Sequence, residues 1–127
     1  MKSKHCARCG RLMTHRKQWA NNWDAVKYCS KTCRTHRVQA VDVDLELAIV
    51  DLLVHRSGSS TIRPSEAAQV VGGEQWKSLV ERSRMAARRL VHRGVVDIIQ
   101  NNKRVDVSTA KGPIEIRRGP QFLMQKQ

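Results

Sequence analysis

Four cysteines in two close pairs are the residues of this sequence whose type and spacing most clearly predict chemistry. Two residues separate Cys6 from Cys9, three separate Cys29 from Cys33, and nineteen lie between the pairs. Each pair fits on a tight turn with both sulfur atoms on one side, and two such pairs can complete a tetrahedral four-sulfur site. The spacing predicts one structural Zn²⁺ ion; disulfides and an iron–sulfur centre are the alternatives.

Four protein ligands would leave no coordination position for water or substrate, which is typical of a structural metal rather than a catalytic one. His5 and His36 flank the cysteines, but four thiolates already saturate the ion, so we expect neither histidine to bind it. The remaining histidines are scattered, and no nucleophile, base and orienting group forms a recognisable set. We therefore expect no enzymatic activity, no catalytic residue and no small-molecule substrate.

The residues around the cysteines predict the local structure that would hold the metal. Gly10 follows the first pair at a turn, and 26–28 alternate like a short strand leading into the second pair. Ser30 can cap a helix whose first turn carries Cys33. A knuckle, a hairpin and a helix in this order predict a treble-clef-like zinc finger.

Positive charge is concentrated around this finger. Residues 1–41 contain ten Lys or Arg and one acid, Asp24, whereas residues 42–127 contain fourteen and ten. Trp19 and Trp23 lie among these cations and could stack on bases, although we expect them chiefly to pack over the metal site. The positive field favours phosphate contacts, for which the finger candidates are Arg8, Arg11, Arg16, Lys17, Lys27, Lys31, Arg34 and Arg37.

The second part of the chain has the periodicity of three helices followed by strands. The pattern predicts helices over 43–56, 64–71 and 76–93, and strands over 95–100, 104–108 and 114–117. This order predicts a winged-helix domain, so the fold class is α+β: a treble-clef-like finger followed by three helices and a β-hairpin. The third helix would recognise nucleic acid and the hairpin turn would form the wing tip.

A basic face on the third helix and a basic wing tip extend the predicted binding surface. The candidate contacts in this domain are Lys77, Arg84, Arg88, Lys103 and Arg104. We expect a nucleic-acid-binding protein, with DNA favoured over RNA. The alternative is an adaptor whose winged helix docks on another protein, for example in a ribonucleoprotein.

The chain resembles two bacterial families of unknown function. The run Val26-Lys27-Tyr28-Cys29-Ser30 with Cys33-Arg34, after a Trp-rich stretch, is similar to a small four-cysteine zinc-finger family, although three residues rather than two separate Cys29 and Cys33. Arg84-x-Ala86-Ala87-Arg88-Arg89-Leu90 and Gly112-Pro113-Ile114-x-Ile116-Arg117 resemble a winged-helix family, with Asn102 and Glu115 as departures. The first resemblance implies a DNA-repair or light-response context, and we expect a regulatory or repair-associated role.

These patterns divide the chain into a zinc-binding module with its linker at 1–41, a winged-helix domain at 42–118 and a tail at 119–127. The N-terminal sequence has no apolar stretch like that of a signal peptide, and no run approaches the ~20 apolar residues of a membrane span. Paired cysteines in such a chain more often hold a metal than form disulfides. We expect a cytoplasmic protein without membrane contact.

Overall fold

The computed structural model describes residues 3–15, 19 and 21–122. Its first part is a small module in which strands β1 (Ser3–His5) and β2 (Leu12–Thr14) form an antiparallel hairpin. A 3-10 turn at Trp23–Ala25 and helix α1 (Lys31–His36) complete the module. The prediction of a strand over 26–28 is wrong, because this segment makes a single backbone hydrogen bond to the knuckle, from Ala7 N to Lys27 O, rather than a ladder.

Three helices form the larger part of the protein. They are α2 (Ala40–Val54), α3 (Pro64–Gly72) and α4 (Val80–His92). Helix α2 begins three residues before its predicted start, because the Asp42 carboxylate accepts a 2.8 Å hydrogen bond from the Gln39 backbone N–H and so stabilises an earlier first turn. A 3-10 segment, Gly73–Leu79, occupies the start of the predicted third helix.

Four strands form a small sheet against these helices. Strands β3 (Thr61–Ile62), β4 (Val96–Gln100), β5 (Lys103–Arg104) and β6 (Glu115–Arg118) are antiparallel, in the order β3-β6-β4-β5. Asn101 and Asn102 form the hairpin turn with φ of 53° and 65°, the left-handed values that asparagine tolerates.

Strand β5 is shorter than predicted. Val105 N still donates to Ile98 O of β4 at 3.0 Å, and the chain then turns instead of continuing along β4. Asp106 Oδ1 accepts a 2.7 Å hydrogen bond from Ser108 N, and its carbonyl accepts one from Ala110 N. Aspartate commonly stabilises turns in this way. Of the predicted strand over 104–108, only Arg104 therefore lies in β5.

The main core lies between the helices and the sheet. Its fully buried side chains include Leu45, Ile49, Leu90, Ile98 and Ile116. Phe122, in the predicted tail, joins this core and is 3% exposed; Leu123 and Met124, which we expected to dock on the core or a partner, lie outside the described residues. The predicted mixed class is confirmed: a four-cysteine module precedes a helical domain with a small sheet.

Candidate metal centre and its basic surroundings

The four cysteine sulfurs converge on one point. The knuckle between β1 and β2 supplies Cys6 and Cys9; Cys29 lies just before α1, and Cys33 lies in its first turn. All four Sγ atoms lie within 4.8 Å of one another. Among the described residues, this is the one group of Cys, His, Asp or Glu arranged to hold a metal ion.

Local backbone geometry places these sulfurs. Gly10 has φ of 78°, a left-handed conformation that closes the knuckle and strains other residues. The Ser30 hydroxyl accepts a 3.2 Å hydrogen bond from Cys33 N, which caps α1 as predicted. Cys29 N donates to Cys6 Sγ at 3.3 Å, a bond that orients the sulfur and stabilises its thiolate.

The sulfur spacing fits a tetrahedral ion. Bonds of about 2.3 Å to a tetrahedral metal separate the ligand sulfurs by about 3.8 Å. Cys29 Sγ lies 3.6 Å from Cys9 Sγ and 3.8 Å from Cys33 Sγ. All four cysteines are free thiols, so the disulfide alternative does not match this geometry.

The pKa values of the cysteine thiols also indicate a metal site. A hydrogen bond from the Cys9 thiol, followed by backbone N–H groups, lowers the pKa of Cys6 to about 4 despite burial. That same bond, with burial, raises the pKa of Cys9, and burial raises the pKa of Cys29. The sulfurs cannot all ionise easily by themselves, and a bound cation would remove this conflict.

Two histidines near the cluster have other contacts. His36 Nδ1 lies 2.9 Å from Thr32 O, and the His5 ring stacks on His92 with centroids 3.5 Å apart. Burial and the charge of His92 lower the pKa of His5, while Asp106 opposes that shift. Neither His5 nor His36 belongs to the metal-binding group.

A second, small core covers the cluster. Trp23 is 7% exposed and packs with Met13 against the cysteines, while Trp19 packs on its outer side with ring centroids 5.5 Å apart. Lys4 Nζ lies 4.7 Å from the centroid of the Trp23 ring and donates to two backbone carbonyls. The tryptophans therefore pack over the metal site, as expected.

The N-terminal module sits directly on α4. Arg88 Nη1 donates to Cys9 O at 3.1 Å, Arg89 Nη1 donates to Arg8 O, and His92 Nε2 lies 2.6 Å from Gly10 O. Each bond satisfies a carbonyl of the metal-binding knuckle. Sequence reasoning missed this contact, which we term the knuckle–α4 junction.

The junction changes the assignment of two predicted phosphate contacts. Arg8 and Arg88 are 7% and 5% exposed, so neither offers its guanidinium to a ligand in solution. Arg8 Nη1 instead lies 3.7 Å from Cys33 Sγ, where its charge favours a thiolate, and burial lowers the pKa of Arg88. Both belong to the interior of the protein, which corrects the expectation that they face nucleic acid.

The expected basic face of the third helix is also largely occupied. Arg84 is partly buried and donates to Gly112 O at 3.1 Å. The neighbouring arginines of α4 pair with acids of α2: Arg82 with Asp42, and Arg89 and Arg93 with Glu46, at N–O distances of 3.2, 2.6 and 2.7 Å. These cations hold helices and modules together rather than forming an open binding face.

The remaining predicted cations lie at the surface. Those on the N-terminal module are Arg11, Lys27, Lys31, Arg34 and Arg37, and those on the helical domain are Lys77, Lys103 and Arg104. Arg16 and Lys17 lie outside the described residues. The structure thus places the exposed cations on α1 and its approach, on the 3-10 segment before α4, and at the hairpin tip.

A groove of about 410 Å³ lies beside α1. The residues that line it include Trp19, Asn22, Tyr28 and three cations, Lys27, Arg34 and Arg37. A second groove, of about 630 Å³, lies next to the hairpin turn and includes Arg63, Asn101 and Lys111. No helix among the described residues combines the length and apolar character needed to cross a bilayer.

Fold and site together define a metal-binding four-cysteine module joined to a helical domain with a small sheet. Residues 42–119 match the family described as "Protein of unknown function (DUF3253)", and because this match spans more than half of the chain, the protein belongs to that family. Residues 1–36 match a second description, "Uncharacterized protein conserved in bacteria (DUF2256)". The two resemblances seen in the sequence are confirmed. Comparison with curated proteins finds no match.

Proposed function

We propose that the protein is a non-enzymatic nucleic-acid-binding protein, built from a structural zinc finger and a winged-helix domain. The observation that carries the proposal is the exposed, basic surface of the finger. Lys27, Lys31, Arg34 and Arg37 form no ion pair within 4.0 Å among the described residues. Cations without acidic partners are available to phosphate groups. We term these four residues the finger cations.

Zinc is the proposed metal because four thiolates in tetrahedral spacing are its usual structural ligand set. When bound, it would supply folding free energy and fix the orientation of α1, with no coordination position left for a reaction. Cys6, Cys9, Cys29 and Cys33 would hold it. Direct measurement of the metal in purified protein tests this assignment, and a stoichiometric iron content would contradict it.

Binding would therefore use the finger and the hairpin tip more than α4. In the usual winged-helix arrangement the third helix enters the major groove, but here the N-terminal module covers part of that helix. Lys103 and Arg104 remain exposed at the hairpin tip. The finger cations and this tip are the proposed phosphate-binding surfaces, and a regulatory or DNA-repair role fits such a binder.

Salt-dependent binding to duplex DNA, structured RNA and heparin tests the proposal. A steep salt slope for one nucleic acid, with weaker binding to heparin, is expected. Replacing both Arg34 and Arg37 by Gln should lower the duplex slope by about 1.8, since each phosphate contact contributes about 0.9. Thr35→Gln, on the same exposed helix, removes no charge and should leave the slope unchanged. Equal, weak binding to all three polyanions would contradict nucleic-acid binding.

An apolar groove supports a second candidate function, that of a protein adaptor. Leu47 on α2 and Val70 on α3 are 61% and 60% exposed, and they flank a groove of about 490 Å³ edged by Asp44 and Asp51. Exposed apolar surface of this kind often marks a protein contact. Purification from cells without nuclease distinguishes the two functions: one defined protein and no nucleic acid would favour the adaptor.

A further inference from the structure

The groove beside α1 combines aromatic rings with unpaired cations. Trp19 and Tyr28 contribute partly buried rings, while Lys27, Arg34 and Arg37 are exposed around them. Its volume of about 410 Å³ falls within the ~300–1,000 Å³ of typical ligand sites. We term it the finger groove.

We infer that the finger groove binds an unpaired base of a single-stranded nucleic acid, with its neighbouring phosphates on the surrounding cations. The inference rests on the proposed function and names the part of the nucleic acid that is recognised. Aromatic rings beside a basic surface are the usual means of binding single strands, because every base offers a flat face for stacking. A duplex keeps its base faces stacked inside and cannot fill such a groove.

The rings are held in a way that suits stacking. Trp19 packs against Trp23, which is itself buried over the cysteine cluster, so the platform is backed by the metal site. Asn22 N donates to Trp19 O at 3.1 Å and ties the Trp19 backbone to the following turn. A platform that is already ordered loses little conformational entropy when a base stacks on it.

The charges around the groove suit a phosphate chain. Asp24 is the one acid in residues 1–41, and no ion pair of the described residues engages Lys27, Arg34 or Arg37. Arg37 Nε donates to Arg34 O at 3.4 Å, which holds the Arg37 side chain against the C-terminal end of α1. A base in the groove would thus have three cations around it.

Binding of oligonucleotides to the zinc-loaded full chain tests the inference. The probes are single strands of about eight nucleotides: oligothymidine DNA, oligouridine RNA, and an abasic DNA strand of equal charge. Fluorescence anisotropy gives each Kd, and quenching of tryptophan emission reports stacking. We expect at least one base-containing strand to bind about tenfold tighter than the abasic strand, because one stacked base contributes roughly five- to 150-fold. Comparison of the DNA and RNA strands shows whether the groove prefers deoxyribose or ribose.

Variants of Tyr28 supply the matched comparison. Tyr28→Leu should reduce the preference for bases to less than about threefold, whereas Tyr28→Phe keeps a ring and should retain it. Metal content and helical circular dichroism verify folding, and Trp19→Leu replaces Tyr28→Leu if the latter loses its metal.

Two results separate the inference from the proposed function. Equal affinity for abasic and base-containing strands, with a steep salt slope for both, overturns the base site but leaves phosphate binding in place. No salt-dependent binding to any nucleic acid overturns both.

Discussion

A glycine at the knuckle–α4 junction gives the sharpest test of how the two parts of the chain are joined. Gly10 has φ of 78°, and a Cβ built on it would overlap Arg88 Cβ. Gly112 has nearly the same φ, 80°, but nothing lies within 4 Å of its Cβ position. Replacing each glycine by Ala therefore imposes the same backbone strain in two different surroundings.

The expected free energies follow from these two environments. An alanine forced into the left-handed conformation costs about 1–2 kcal/mol, and this is the whole cost expected for Gly112→Ala. Gly10→Ala adds the cost of overpacking, about 1–3 kcal/mol, because Arg88 Cβ is attached to the α4 backbone and cannot rotate away. Relief of the clash would lengthen the 3.1 Å hydrogen bond from Arg88 to Cys9 O.

Urea denaturation of the zinc-loaded protein, followed by far-ultraviolet circular dichroism, measures both costs. We expect Gly10→Ala to lower the free energy of unfolding by about 1–3 kcal/mol more than Gly112→Ala does. Equal destabilisation by the two variants would show that the knuckle does not press against α4, and the reasoning about the junction would fail.

Three further outcomes are expected. Cys29→Ser should abolish stoichiometric metal binding and unfold the N-terminal module, because the metal supplies the folding free energy of that module. The amide resonances of residues 42–118 in NMR spectra should stay dispersed. Loss of that dispersion would show that the two modules fold as one unit. Glu46→Gln should lower the free energy of unfolding by about 3–5 kcal/mol in urea denaturation, because Arg89 is left buried without its ionic partner; a loss below about 1 kcal/mol would contradict this. Burial raises the pKa of Glu66, but hydrogen bonds led by that from Arg56 lower it overall. The ionised Glu66 side chain therefore stabilises the fold above its pKa in the unfolded chain, and this stabilisation is lost as pH falls through its lower pKa in the folded protein. The free energy of unfolding should thus decrease less on acidification in Glu66→Gln than in the unsubstituted protein.

Local features were predictable because their causes lie within a few residues. The Cys-x2-Cys spacing, the glycine turn after it and the serine before α1 each determine nearby geometry, and all appear in the structure as predicted. Pro64 begins α3, and Asn101 and Asn102 form the hairpin turn. Each of these positions has a conformational preference that tertiary contacts did not override.

The junction could not be predicted, because the same residue pattern fits two environments. Arg84 and Arg88 are four residues apart on one face of a helix, as they would be on a solvated or a phosphate-binding face. No pattern in the sequence indicates that the backbone carbonyls of residues 8–10 lie opposite that face. Ala86 and Ala87 beside Arg88 give no signal for the junction either, because both are buried in the main core.

Packing of the knuckle on α4 connects the metal site with the proposed nucleic-acid-binding surface. The α4 arginines, which could have contacted duplex DNA, instead donate to Cys9 O and Arg8 O or pair with acids of α2. Their charge therefore holds the N-terminal module and α2 against α4. Because α4 holds the knuckle, the position of α1 relative to the helical domain is fixed, and the finger cations are presented on a rigid support. The four cysteines would therefore influence the proposed binding indirectly. They shape the knuckle that contacts α4, and the α1 surface that remains open carries cations without acidic partners and lies beside Trp19 and Tyr28.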